Sequence, residues 1–289
     1  MIVNPQKIAV LTDSCADIDP RLAEQMEIFI LPLKIIYPER EYQDGVDIVA
    51  SEVYRRMPEQ IPTTSLPDGQ TVLDMLERIR QMGYEKLIAI CLSAGLSGTY
   101  NMVRLAAQNF QGLECAVFAS NSGSLGEGCI ALQAAHYIRQ GMGWQELQRR
   151  VAGLVRDTHV MFSLDTLEYL QKGGRIGKIT CLAGTMLQIK PIISFAEDGQ
   201  LASISKVRGR RRSIDEMVQR VKAMVPTDGR PYVMATAHGD APEDQAYLKA
   251  QIQQEIAGAA HYYEGVIDCT LGVHTGPHLI GVGIQLLEP

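Results

Sequence analysis

The chain has 289 residues, of which 46% are hydrophobic and 21% charged, and its formal net charge is −6. It is long enough for two hydrophobic cores, and its acidic balance excludes a general nucleic-acid-binding protein, which needs clustered excess cations. With no visible signal peptide, no apolar run near the ~20 residues of a membrane span and no Cys-x-x-Cys pair, we expect a cytoplasmic protein. We expect no integral membrane segment and at most transient contact with a membrane surface.

The first half of the chain alternates between predicted strands and helices. Apolar runs predict strands over 8–12, 28–35, 86–92 and 115–119. Capping residues and helical spacing predict helices from 19, over 51–57, from 67 through 79, from 99, and over 125–140 and 144–156. This βαβ pattern predicts an N-terminal α/β domain, residues 1–157, with a doubly wound parallel sheet.

The pattern changes near His159. Strands are predicted over 160–164, 233–237, 265–272 and 280–287, with a hairpin within 192–205. Helices are predicted over 165–170, from a capping box at Ser213 through 225, and over 242–256. A hairpin among helices predicts a C-terminal α+β domain, residues 158–289, with a mixed sheet.

The segment 86–101 carries the strongest functional signal in the sequence. Its predicted strand ends at Leu92 in a loop of small and hydroxylic residues, among them Ser93, Gly95 and Ser97, and a helix follows. This arrangement can direct backbone N–H groups and hydroxyls at an anionic or carbonyl oxygen. The loop lacks both the Gly-Lys-Ser/Thr and the Gly-x-Gly-x-x-Gly of nucleotide sites, so it predicts a small oxo-anion site and no ATP.

A second hydroxyl-rich segment lies between prolines 62 and 67. The prolines hold Thr63, Thr64 and Ser65 in an extended conformation. One hydroxyl is enough to cap the helix that follows. The other hydroxyls have no structural task and remain unassigned at this point.

Two basic features occur in the second half. The run 206–212 is mostly typical of a solvated surface, but Arg208, nearest the predicted strand end, is a candidate for contacting an anion. His274 is predicted in a loop between the last two strands, where it could donate to an anion or act as a base. No cluster with metal-ligand spacing accompanies it, so we expect neither a metal nor a cofactor.

Together these motifs resemble the DegV family of bacterial fatty-acid-binding proteins. The matching segments, in family order, are Thr12-Asp-Ser14, Asp44-Gly45, Thr64-Ser65, Leu92-Ser-Ala-Gly-Leu-Ser-Gly-Thr-Tyr100, Asp165-Thr-Leu-Glu-Tyr-Leu170, Gly173-Gly-Arg-Ile176, Lys206-Val-Arg-Gly-Arg210, Ala237-His-Gly239 and His274-Thr-Gly-Pro277. The resemblance implies two domains with a lipid tunnel between them that holds one long-chain fatty acid. It further implies a binding protein without enzymatic activity of its own, which presents the acyl carboxyl to a separate ATP-dependent fatty acid kinase. That kinase would form an acyl phosphate for phospholipid synthesis.

The resemblance also implies the ligand-binding residues. They are Thr64, Ser65, Ser93, Gly95, Ser97, Arg208 and His274. The hydroxyls of Thr64 and Ser93 would hydrogen-bond the fatty-acid carboxyl, and Arg208 and His274 would be its basic neighbours. The chain departs from the family pattern near this site, with Ala94 for a serine, Asn121 for an aspartate, Cys15 for a threonine and His278 for a glycine.

Two alternative functions remain open from the sequence. In the first, the protein is a serine-dependent acyl hydrolase or transferase with Ser93 as nucleophile and His274 as base, although no Gly-x-Ser-x-Gly elbow is present. In the second, it is a binding protein that senses a phosphate-bearing ligand, or a purely structural partner protein.

Overall fold

Three β-sheets organise the part of the chain that the structure, a computed structural model, describes: residues 3–179 and 189–288. The strands are β1 (Ile8–Asp13), β2 (Ile28–Leu31), β3 (Lys34–Tyr37), β4 (Arg40–Gln43), β5 (Thr63–Ser65), β6 (Lys86–Cys91), β7 (Glu114–Ala119), β8 (Thr158–Ser163), β9 (Ile189–Phe195), β10 (Leu201–Arg208), β11 (Tyr232–Gly239), β12 (His261–Val266) and β13 (Leu279–Leu286). The helices are α1 (Pro20–Met26), α2 (Ala50–Arg56), α3 (Gly69–Gln81), α4 (Thr99–Asn109), α5 (Leu125–Arg139), α6 (Trp144–Asp157), α7 (Glu168–Lys172), α8 (Arg210–Met224), α9 (Pro242–Glu255) and α10 (Cys269–Thr275).

The first sheet is parallel, with strand order β2-β1-β6-β7. Its two central strands are apolar on both faces because helices cover both: α3 and α4 pack on one face and α5 on the other. The predicted doubly wound parallel sheet is confirmed.

A small antiparallel sheet, β4-β3-β5, branches from the parallel one. The sequence predicted a single strand over 28–35, and this prediction was wrong: β2 ends at Leu31 and β3 begins at Lys34. Pro32 between them has no N–H to donate to a ladder. The next amide, that of Leu33, instead donates to the Ser14 hydroxyl. The chain therefore leaves the first sheet here and pairs with β5.

The third sheet is mixed, as predicted, with strand order β10-β9-β8-β13-β11-β12. Only β11 and β12 run parallel to each other among its described strands. Helices α8 and α9 pack on one face of the sheet, and α5 packs on the other.

Two local predictions in the second half were wrong. The predicted strand 265–272 is interrupted, because Asp268 caps a helix there and its side chain accepts a hydrogen bond from the amide of Leu271. His274 therefore lies in the last turn of α10 and not in a loop between strands. Ser213 does not cap α8: the helix begins at Arg210, and the Ser213 hydroxyl donates to the Arg210 carbonyl inside the first turn.

Helix α5 joins the two halves of the molecule. It is apolar around nearly its whole circumference and contacts β1 and β6 of the parallel sheet as well as β8, β11 and β13 of the mixed sheet. The strands change from one sheet to the other between Asp157 and Thr158. A division into domains at that point stays a prediction. Among the described residues, no helix has the length and apolarity required to cross a membrane.

Candidate functional site

A cavity that is partly open to solvent lies between the carboxyl ends of the parallel strands and one face of the mixed sheet. Ligands of open α/β sheets bind at this end of the strands. The walls are mainly apolar: Leu92 and Leu96 follow β6, and Phe162 and Phe195 project from the mixed sheet. A mainly apolar wall with a few polar groups is typical of a site for an apolar ligand with one polar end.

The polar part of the cavity wall is built around a hydrogen bond between Thr64 and His274. Thr64 Oγ1 and His274 Nε2 are 2.8 Å apart. Pairing of β5 with β3 places Thr64 opposite Ile35, and α10 carries His274. Ser65 and Ser97 line the same cavity. The structure therefore brings together four of the side chains that the sequence analysis selected, from three separate motifs.

The His274 imidazole is neutral near physiological pH. Burial, and to a lesser extent the positive charge of Arg175, lowers its pKa to about 4. Its Nδ1 has no hydrogen-bond partner in the described chain and faces Gly173, where a Cβ would overlap it. A proton on Nδ1 would find no acceptor, so we assign the proton to Nε2, which donates it to Thr64. The Thr64 hydroxyl can then donate its own proton to a ligand.

Arg175 is the cation of this site, and the sequence analysis did not select it. Its guanidinium lines the cavity and donates to the carbonyls of Leu96 and Gly173. No carboxylate within 3–179 or 189–288 forms an ion pair with it. Its positive charge is therefore available to an anionic ligand. The sequence feature that could have identified Arg175 is the Gly173-Gly-Arg-Ile176 motif. It supported the family resemblance but was not used to choose site residues.

A second cavity adjoins the first at these polar residues. It shares Thr64, Arg175 and His274 with the first and is lined in addition by Thr63 and Lys172. A group held at the Thr64–His274 hydrogen bond therefore borders both cavities.

Two predicted residues, Ser93 and Gly95, do not line the cavity. The Ser93 hydroxyl is fully buried and donates to the Gly199 carbonyl at 2.7 Å, at the tip of the β9–β10 hairpin. Gly95 is packed so tightly against Gly199 that a Cβ would overlap its backbone. The amides of Leu96 and Ser97 donate to the Ser93 carbonyl and are not free. The loop therefore holds the hairpin tip in this structure, and a role of Ser93 and Gly95 in ligand binding stays a prediction.

The geometry does not support a Ser93–His274 nucleophile and base. The Ser93 hydroxyl is directed at Gly199, whereas the His274 ring is hydrogen-bonded to Thr64. An imidazole pKa of about 4 also makes a weak base. Arg208, at the exposed end of β10, lines neither cavity, so its contact with an anionic ligand also stays a prediction.

Buried carboxyl groups fix the start of α10. Asp44 accepts hydrogen bonds from the amides of Cys269 and Thr270 and from the Thr270 hydroxyl. Asp17 accepts from the amide of Asp268, the N-cap of the helix. Asp44 of the Asp44-Gly45 motif thus helps to position the helix that carries His274, and the Ser14 hydroxyl of the Thr12-Asp-Ser14 motif donates to Asp44.

Burial raises the pKa of several carboxyls in this cluster. The pKa of Asp13 rises to about 6 and that of Asp17 to about 7, while those of Glu127 and Asp268 lie well above the ordinary range. The cluster is thus partly protonated near neutral pH. Across the two described stretches, no group of three or more His, Cys, Asp or Glu side chains could hold a metal ion.

Comparison with protein families identifies this architecture. The family model described as "Uncharacterised protein, DegV family" matches residues 7–286. The chain belongs to the DegV family. A DegV domain-containing protein from Clostridium acetobutylicum is 34% identical over 284 residues, which cover 98% of this chain and 99% of the relative. One from Staphylococcus aureus is 30% identical over 280 residues, covering 96% of each chain.

Solved DegV structures share the fold over almost the whole chain. A DegV family protein from Thermus thermophilus, described by its fatty acid binding, is 25% identical with a TM-score of 0.89, covering 97% of this chain and 99% of that one. DegV from Bacillus subtilis, described as a fatty acid binding protein, is 25% identical with a TM-score of 0.86, covering 96% and 99%. The family and the fold class predicted from sequence are therefore confirmed.

Proposed function

We propose that this DegV-family protein binds one long-chain fatty acid, with its tail in the apolar cavity and its carboxyl group at the Thr64–His274 hydrogen bond. The observation that carries the proposal is that the cavity is apolar except at one end. Its walls are mostly apolar, and the charge of Arg175, which no carboxylate pairs with in the described chain, lies beside the hydrogen-bonded Thr64 and His274. The DegV proteins of Thermus thermophilus and Bacillus subtilis are described as fatty-acid-binding, which supports the same ligand class here.

The carboxyl group would accept a hydrogen bond from the Thr64 hydroxyl, whose orientation His274 fixes. Ser65 and Ser97 line the same cavity and could supply further donors, and Arg175 would balance the charge of the ionised form. Ser93 can join this set only by exchanging its hydrogen bond to Gly199 for one to the carboxyl.

Burial of the tail supplies most of the affinity. At roughly 0.8 kcal/mol per methylene, a chain of about sixteen carbons gains ~12 kcal/mol. Association costs of about 4–15 kcal/mol are subtracted from this gain. The polar end therefore serves to orient the ligand and to reject molecules that lack an acid group, because they would leave the buried donors unpaired.

Native mass spectrometry of the freshly purified protein, followed by organic extraction and gas chromatography, tests the proposal. We expect a mass excess of one fatty acid per chain and recovery of that acid without covalent attachment. An adduct that survives denaturation would favour the acyl-enzyme alternative. Recovery of far less than one acid per chain, even after free acid is added, contradicts the proposal.

We further propose that a separate ATP-dependent kinase phosphorylates the bound carboxyl. The second cavity supports this step, because it gives access to the carboxyl position from outside the tail cavity. Arg211, whose guanidinium lies 3.8 Å from the centre of the Tyr247 ring, and Arg212 are exposed and could steer an acidic partner surface.

Acyl-phosphate formation in the presence of a fatty acid kinase, ATP and Mg²⁺ tests this second step. We expect the isolated protein to neither bind nor hydrolyse ATP. The double variant Arg211→Glu/Arg212→Glu should slow the reaction at low salt while fatty-acid binding is intact, whereas Arg21→Glu on α1 should not. A normal rate for the double variant at low salt excludes this docking surface.

A further inference from the structure

The floor of the cavity along β13 is bare backbone for most of its length. Successive residues of a strand point to opposite faces, so Leu279, Gly281, Gly283 and Gln285 share one face of β13. The first three line the cavity and Gln285 does not. Glycine inside a strand gives up packing and often marks the close approach of a ligand. After Leu279, the first side chain on this face is that of Gln285.

The neighbouring strands stop lining the cavity at the same row. Val160 of β8 pairs with Gly283 and lines the cavity, whereas Thr158, which pairs with Gln285 in the next row, does not. On the other side of β13, Ala235 pairs with Gly283 and is the outermost lining residue of β11. The cavity therefore ends between the row of Gly283 and the row of Gln285.

The row beyond this end holds Gln285 of β13, between Thr158 of β8 and the apolar Val233 of β11. Gln285 is 1% exposed, and its Nε2 donates to Thr158 Oγ1 at 2.9 Å. Its Oε1 has no partner within the described chain. A hydrocarbon tail that extended into this row would have to displace the amide from its hydrogen bond and cover it with apolar groups, which is unfavourable.

The two ends of the cavity are far enough apart to hold a long acyl chain. α10, with His274 in its last turn, ends at Thr275, so the polar end of the cavity lies near the start of β13. From Leu279 to Gln285 an extended strand spans roughly 20 Å. One acyl layer of a bilayer is about 15 Å thick, half of the ~30 Å hydrocarbon core.

We propose that Gly283 and Gln285 set the length of the acyl chain: the tail lies over the β13 glycines and stops at the Gln285 amide. The inference rests on the fatty-acid-binding function proposed above and adds to it the residues that select among fatty acids.

Two substitutions should change the maximum length of the bound acyl chain in opposite directions. Gln285→Ala removes the amide, and Thr158 keeps its hydrogen bond to the Leu154 carbonyl at 2.7 Å, so no buried donor loses its partner. Gly283→Ala places a Cβ 3.0 Å from Val160 Cγ1, which must shift and narrow the end of the cavity. The matched control is Gln245→Ala: the Gln245 amide also donates to a threonine, Thr236, but on the opposite face of the mixed sheet.

Native mass spectrometry after incubation with an equimolar series of saturated acids, from lauric to behenic, reads the bound distribution directly. We expect Gln285→Ala to shift it towards longer acids, by about fourfold in relative affinity for each further methylene buried. Gly283→Ala should shift it towards shorter acids, and Gln245→Ala should leave it unchanged.

An unchanged distribution in Gln285→Ala overturns the assignment of the end wall. If that variant does not fold, Gln285→Met replaces the amide by an apolar group of similar length and should shift the distribution in the same direction; an unchanged distribution there likewise overturns it. Failure of the parent protein to bind any acid of the series instead contradicts the proposed function, and the inference with it.

Discussion

His274 Nε2 and Thr64 Oγ1 form a 2.8 Å hydrogen bond across 210 residues of sequence. The bond joins the small antiparallel sheet to α10, so the polar wall of the cavity depends on both halves of the chain. With the proton of His274 on Nε2, the Thr64 oxygen accepts it and the proton of the Thr64 hydroxyl stays available. This relationship makes the wall sensitive to small changes at either residue.

Loss of the Thr64 hydroxyl should weaken fatty-acid binding. Thr64→Ala removes a donor to the carboxyl and leaves the His274 N–H without an acceptor, which costs about 1–3 kcal/mol, or about 5- to 150-fold in Kd. Thr64→Ser should retain most of the affinity. Thr63→Ala, at an exposed neighbour on β5, is the control. Displacement of a fluorescent fatty acid measures all three, and equal affinities would show that the carboxyl lies elsewhere.

The His274 ring should titrate far below an ordinary histidine. Its pKa of about 4, against 6.5 for an unperturbed ring, follows mainly from burial. Long-range ¹H–¹⁵N NMR across this range, with His274→Gln to assign the signal, should show a neutral ring protonated on Nε2 at pH 7. A midpoint near 6.5, or a proton on Nδ1, would refute the proposed orientation of the Thr64 hydroxyl.

Two adjacent glycines should respond very differently to alanine. At Gly173 a Cβ would overlap His274 Nδ1, so Gly173→Ala should displace the ring, raise its pKa and weaken fatty-acid binding. At Gly174 a Cβ meets nothing within 4 Å, and only its φ of +69° disfavours alanine. Gly174→Ala should therefore cost about 1–2 kcal/mol of stability while leaving the ring titration unchanged. A larger effect of Gly174→Ala than of Gly173→Ala on the His274 titration would disprove the close contact between Gly173 and His274.

Stability should depend on the protonation of Asp17. The pKa of its carboxyl is raised from 3.8 to about 7, so between these values the folded state holds more protons than the unfolded state. Its contribution to the free energy of unfolding is therefore fully present below about pH 4 and is lost as pH rises through about 7.

Asp17→Asn should remove this part of the pH dependence. The free energy of unfolding should then vary by on the order of 1–4 kcal/mol less between about pH 4 and pH 7 than in the parent. Asparagine tolerates the left-handed backbone at this position, where φ is +51°. Urea unfolding of parent and variant across this pH range gives the difference, and Asp19→Asn at the exposed cap of α1 is the control. If the free energy of unfolding changes with pH equally in the parent and in Asp17→Asn, this carboxyl is not buried in its acid form.

Hydrophobic periodicity predicted most elements because they bury one face or both. The buried run of β6 and the helical spacing in α3 are local signals, and both were read correctly. The errors fell where a distant group competes with local preference. The sequence 265–272 is apolar enough for a strand, yet Asp268 and Asp44 supply the caps that turn its second half into α10.

The sequence by itself determined the family, the alternation of strands and helices and the hydroxyl groups of the candidate site, because these depend on residue type and local spacing. Only the tertiary structure decided which of those groups share a cavity. Ser93 and Arg208 carry the right chemistry, but chain packing directs one at Gly199 and leaves the other outside both cavities. Arg175 and Gln285 lie in surroundings made by strands and loops far apart in sequence, and no local pattern records such proximity.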